Sequence, residues 1–163
     1  MSASDDEHDR ALWAAVVESK GRFTATRAAF MTGATDRVAV VRAALGTASQ
    51  RGTALRVLRL FSVAERQDLF DELVRLASVG HADVALSREA ILSLPRDWVL
   101  ANVDAHAEPL LRDGTDEEYR RLLELYVLLD PDLTRRLATR AAAHHDEDVR
   151  EAGEDFLERL GAG

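Results

Sequence analysis

An all-α fold of stacked antiparallel helical hairpins is what these 163 residues predict, and three observations carry the prediction. Apolar residues return every 34 positions between Ala54 and Leu137, in the columns Val57/Ile91/Leu125, Leu58/Leu92/Tyr126, Leu60/Leu94/Leu128 and Leu69/Val103/Leu137. Helix punctuation follows the same register: Ser62 with Glu65, Leu94-Pro95, Thr115 with Glu118, and Asp130-Pro131. Composition supplies the core, since 47% of the residues are apolar in a chain of one-domain length. A single amphipathic hairpin cannot bury its apolar face alone, so such a period means an α-solenoid in which each hairpin stacks on a copy of itself. A globular bundle of Ala- and Leu-rich helices with incidental periodicity is the competing architecture.

The elements follow in order, about nine to ten helices in one domain. Residues 1–6 are short, acidic and terminal and predict a disordered tail. Residues 7–46 predict N-terminal capping helices. Ser4 and Glu7 have the capping-box spacing, and Leu12, Trp13, Val16 and Val17 share a face of a helix that should stop near Gly21. Thr24, Thr26 and Thr32-Gly33 weaken the segment Arg22 to Met31, which reads as a short separate helix. Thr35 to Leu45 carries Val38, Val41 and Leu45 on one stripe and closes at Gly46. Three hairpins then fill residues 47–145: Ala48 to Phe61 with Val63 to Ser78, Asp83 to Leu94 with Arg96 to Arg112, and Asp116 to Leu129 with Pro131 to His144. Pro109 should kink or end the helix that contains it. Residues 146–160 form a C-terminal capping helix behind Asp146, whose seven carboxylates and two arginines suit an outward polar face.

The charge pattern narrows the partners. Residues 1–8 carry -3, residues 9–62 carry nine basic and three acidic groups for +6, and residues 63–163 carry twelve basic and 23 acidic groups for -11. This asymmetry steers a charged partner or else reflects solvated helix faces. With no cysteine there is neither a disulfide nor a thiolate metal site. No run reaches the roughly 18 apolar residues of a membrane span, and the acidic start lacks the order of a secretory signal. A soluble cytoplasmic protein is expected. One lysine, Lys20, against twenty arginines points to a GC-rich bacterial source.

Hairpins joined at Leu94-Pro95 and Asp130-Pro131, with the closing run Asp146-Glu147-Asp148-Val149-Arg150-Glu151-Ala152, resemble HEAT repeats over about Thr47 to Leu160. That pattern commonly has an Asp before Val-Arg and an Ala after it. The chain departs from it at Val84, which Ala85 follows, and at Tyr119-Arg120, which replaces Val-Arg. The resemblance implies a right-handed, curved scaffold that binds partners mostly through the second helices of its hairpins, and it implies no single activity.

The 34-residue register also aligns polar residues. On the second helices the columns read Asp68/Asn102/Arg136 and Glu72/His106/Arg140, acidic at one end and basic at the other, with Trp98 beside them. As a binding groove these seven residues would hold a partner, Trp98 serving as anchor. As structural rows they would pair with each other, Glu72 with His106 for example, and Trp98 would pack between hairpins.

Catalytic and metal templates do not fit. His144-His145-Asp146 places two histidines about 100° apart at a helix end, His8 and His81 are isolated, and there is no H-E-x-x-H. Gly46 to Thr53 is glycine-flanked without the lysine of a phosphate loop and reads as a turn. No residue stands in a recognisable nucleophile elbow, and no catalytic residue, metal or cofactor is assigned. Some HEAT-like proteins are DNA glycosylases, and Arg37, Arg42, Arg51, Arg56 and Arg59 supply the positive sign that phosphates require if they share a face. The leading expectation is therefore a non-catalytic scaffold, adaptor or inhibitor that binds another protein. A nucleic-acid-binding protein is the first alternative, and a small-molecule-binding HEAT-like lyase or chaperone the second. Oligomeric state is open.

Overall fold

The computed structural model describes residues 3–161, and among them every regular element is helical. No described helix is long and apolar enough to cross a membrane. The chain divides into two compact units, Met1–Val40 and Val41–Gly163.

The first unit holds helix α1, Ala3–Gly33, and the first turn of α2, Arg37–Leu45. One continuous helix replaces the two expected here. Threonine usually disfavours a helix by competing for backbone groups, but Thr24, Thr26 and Thr32 each donate to the carbonyl four residues back, at 2.9, 2.9 and 3.1 Å, without leaving the helical path. Gly21 keeps a negative φ and continues the helix. Of the tail expected at residues 1–6, Met1 and Ser2 lie outside the described residues, and Ala3 to Asp6 belong to α1, so Ser4 sits inside the helix it was expected to cap.

The second unit contains α3 (Ala48–Val57) with a 3-10 turn at Leu58–Leu60, α4 (Val63–Gln67), α5 (Phe70–Ala77), α6 (Val84–Leu92), α7 (Arg96–Arg112), α8 (Asp116–Leu129), α9 (Pro131–Ala142) and α10 (Glu147–Gly161). First helices pack on first helices, α3 on α6 and α6 on α8, while α5 packs on α7 and α10 closes against α9 and α8. The stretch read as a turn, Gly46 to Thr53, is mostly helix: only Gly46 and Thr47 lie outside α2 and α3.

Local chemistry explains the boundaries. Ser62 and Glu65 form a full capping box, as do Thr115 and Glu118. Asp130 Oδ1 accepts from the backbone N–H of Asp132 and Leu133 at 2.9 and 3.1 Å, with Pro131 in the first turn of α9. Asp146 accepts from Asp148 at 2.9 Å to start α10. One expectation fails and a second is narrowed, since Pro109 does not end its helix. The helix expected from Val63 to Ser78 breaks at Asp68–Leu69, where the Arg42 guanidinium donates to the Asp68 carbonyl at 2.6 Å and so intrudes on the helical ladder. Conversely α7 runs through Pro109; Pro109 and Ala105 are both exposed, so water can satisfy the carbonyl that loses its N–H partner.

The columns Val57/Ile91/Leu125 and Leu69/Val103/Leu137 are buried throughout. The other two are not: Leu92 is 44% exposed, Leu60 45% and Leu128 50%, beside buried Leu58, Leu94 and Tyr126. The first and third repeats agree here and the second departs: α6 ends at Leu92, so Leu94 follows the helix, whereas Leu128 is still inside α8. The buried hydroxyls are satisfied within their own helices, Ser78 by Arg75, Ser87 by Asp83 and Thr134 by Asp130.

Candidate functional site

Neighbouring helices of the second unit are tied together by charge. Arg42 of α2 pairs with Glu72 of α5 at 2.6 Å, and across α5, α7 and α9 His106 Nδ1 lies 3.3 Å from Asp71, Arg136 lies 3.3 Å from Asp104, and Arg140 bonds Glu108 at 2.5 Å. First helices do the same through Arg59–Glu89, Arg88–Glu124 and Arg120–Asp155. Every one of these pairs spans close to one repeat.

Six of the seven residues picked out by the register lie on α5, α7 and α9 and Asp68 at the break before α5, but the pairing expected within them does not form. Glu72 meets Arg42 and not His106; His106 meets Asp71; Arg136 and Arg140 meet Asp104 and Glu108, which lie outside the expected rows. In a stack, residues one full repeat apart point the same way, whereas residues that touch must point toward each other from opposite flanks of neighbouring helices. The contacting partner is therefore displaced from the 34-residue column, to a separation of 30 for Arg42–Glu72 and 32 for Arg136–Asp104 and Arg140–Glu108. Asn102 turns back on its own helix and donates to the Trp98 carbonyl at 2.7 Å. Asp68 is exposed.

Trp98 is held from below by a residue absent from the expected site. Phe70, fully buried at the start of α5, meets the Trp98 ring edge-on at 4.9 Å between centroids and the His106 ring at 5.0 Å and 90°. Such edge contacts fix ring orientation. Trp98 is half-buried, and its indole N–H has no hydrogen-bond partner among the described residues. The only sequence cue to Phe70 is its position next to the Leu69/Val103/Leu137 column.

Between α7, α8 and α9 a cavity of about 210 Å³ is lined by Asp104, Glu108, Tyr126, Arg136 and Arg140 over Leu111, Leu133 and Leu137. The Tyr126 hydroxyl donates to Asp104 at 2.8 Å. Burial, then the hydrogen bond and charge of Asp104, push the phenol above its ordinary range, so it stays protonated near neutrality. The Arg140 bond holds the Glu108 carboxyl below its usual value. Two carboxylates and two guanidiniums cancel, leaving no unpaired base or nucleophile in the set. A larger groove of about 470 Å³ between α3 and α6 has Leu55, Leu58, Leu86 and Ala90 along it and the Arg59–Glu89 pair, 2.6 Å, at its side.

The arginines of the basic third are largely engaged. Arg37 donates to the Met31 carbonyl at 2.9 Å, Arg51 to that of Leu45 at 3.0 Å, and Arg42 and Arg59 are held by Glu72 and Glu89. His144 accepts from the Asp146 N–H at 3.1 Å, with its ring against Tyr119 and His145. Among the described residues no three or more His, Cys, Asp or Glu side chains gather as a metal site would require. No family model, curated protein sequence or solved structure matches the chain.

Proposed function

We propose that residues 41–163 form a HEAT-like, right-handed α-solenoid that acts as a non-catalytic scaffold and binds another protein through the face of its second helices. The observation that carries this reading is Trp98: a large aromatic side chain, oriented by buried Phe70 and left only half-buried amid paired charges. A pre-oriented Trp surrounded by polar residues is the usual make-up of an interface hot spot. Inter-hairpin ion pairs at near-repeat separations support the stacked arrangement and make the face rigid, which lowers the ordering cost of association. The nucleic-acid alternative is weakened because Arg42 and Arg59 already have carboxylate partners, which phosphates would have to displace.

The test is affinity capture from native cells with the wild-type chain, Trp98→Ala and Arg136→Glu as baits, read by mass spectrometry and checked by reconstitution with the purified partner. Trp98→Ala should abolish capture while the thermal transition survives, lowered by the loss of one half-buried side chain, about 1–3 kcal/mol. If Trp98→Ala unfolds the chain, or a reconstituted partner binds both variants as it binds wild type, the reading is wrong.

A further inference from the structure

Helix α1 is bare. Every residue from Asp6 to Thr26 is exposed, including Trp13 at 68%. A lone helix in water is marginal, because propagation gains little per residue and most helical stability in proteins comes from burying an apolar face. Here that face exists without a cover. Leu12, Trp13, Val16 and Val17 are all more than half exposed, a contiguous patch of the kind that marks an interaction site.

The residues around this patch specify what covers it. Asp9, Trp13, Val16 and Lys20 follow one another at spacings of 4, 3 and 4 and therefore line one stripe of the helix. The stripe is apolar at its centre and antisymmetric in charge about the point between Ala14 and Ala15. Reflection through that point exchanges Trp13 with Val16, Leu12 with Val17, and Asp9 with Lys20. Neither the Asp9 carboxylate nor the Lys20 ammonium has an ion-pair partner among the described residues. We propose that α1 is a homodimerisation helix: the α1 of a second copy lies antiparallel on this stripe, Trp13 against the second copy's Val16, with Asp9 facing the second copy's Lys20 at both ends. A parallel arrangement would set Asp9 on Asp9 and Lys20 on Lys20, like charges in contact, and an isologous twofold needs a self-complementary patch such as this one.

Sedimentation equilibrium of the full chain at low salt tests the proposal. The wild type should show a reversible mass of twice 18.0 kDa. Trp13→Ser, which removes two anchors per dimer, should raise the dissociation constant by about 100-fold or more. Asp9→Lys and Lys20→Asp should each weaken the dimer by roughly 10-fold, and the double variant Asp9→Lys/Lys20→Asp should restore wild-type affinity, because opposite charges face each other again. No buried side chain is altered, so the thermal transition of the second unit serves as the folding control. A chain that stays monomeric at all concentrations overturns the proposal, and so does monomeric binding to anionic vesicles. A dimer indifferent to Trp13→Ser, or single charge reversals that the double variant does not rescue, overturns it as well.

Discussion

Of the glycines in the second unit Gly153 has the least room for a side chain, and Gly153→Ala is the sharpest single test of the packing there. A Cβ built there would lie 2.3 Å from the Ala142 nitrogen, 2.6 Å from the Ala138 carbonyl oxygen and 2.8 Å from the Ala141 carbonyl carbon. All three are backbone atoms of α9, so no side chain can rotate out of the way. Relief requires α10 to retreat by roughly 1 Å, which loosens the contacts of Val149, Ala152 and Phe156, all buried on the same face. Overpacking of this kind costs about 1–3 kcal/mol or more. Alanine returns up to about 1 kcal/mol through its better helix propensity. A net loss of about 2 kcal/mol follows, lowering the melting temperature by on the order of 10 °C. Urea denaturation followed by circular dichroism would show it as a lower midpoint with an unchanged slope. The control is Gly21→Ala in α1, where nothing stands within 4 Å of the added methyl and only the propensity gain remains. If Gly153→Ala stabilises the chain as Gly21→Ala should, the close approach of α9 and α10 is wrong.

Tyr126→Phe should destabilise the second unit by about 1–2 kcal/mol by removing the bond to Asp104, measured as a urea midpoint. The raised phenol pKa adds an alkaline signature: its stabilisation is complete below the unfolded value of about 10 and is lost as pH climbs above it, so the Phe variant should lose less stability between about pH 10 and 11.5 than the wild type. At the acid end Glu108 and Glu124 sit below their ordinary values, Glu108 through its Arg140 bond, and Glu124 because bonds from Arg88 and Arg121 outweigh a burial that would raise it. Such groups stabilise the fold above their unfolded pKa of about 4.3 and stop doing so as pH falls through the folded value, so the urea midpoint should drop between about pH 4.5 and 3 and Glu124→Gln should flatten that drop; a midpoint constant over this window would contradict the pairing. A double-mutant cycle on part-buried Arg88–Glu124 should return a coupling near 1 kcal/mol, whereas exposed Arg59–Glu89 should return close to none.

Helix boundaries were most legible where they rest on short-range chemistry. The limits of α7 and α8 are those read from Pro95, Thr115 and Asp130-Pro131, because a capping carboxylate or hydroxyl acts on N–H groups two or three residues away and a proline acts on its neighbours. Reading failed where local propensity competes with something else. Gly21 and the threonines predicted a break, and back-bonded hydroxyls carried α1 through it. The break at Asp68–Leu69 had no local cue, because the donor that intrudes there, Arg42, comes from 26 residues away.

For the candidate site, the period and the caps were legible in residue order alone, since each depends on spacing along one helix or on identity between repeats. Which polar residues touch depends on how the helices pack. Asp104 and Glu108, not Asn102 and His106, receive the arginines of α9, and Phe70 is the support beneath Trp98. The glycine at 153 proved to be a point of backbone contact, while the glycine at 21 is open to solvent. A repeat marks equivalent positions, and equivalent side chains are parallel; contact needs opposed ones, and which flank opposes which is set by how far each helix is turned and offset against the next.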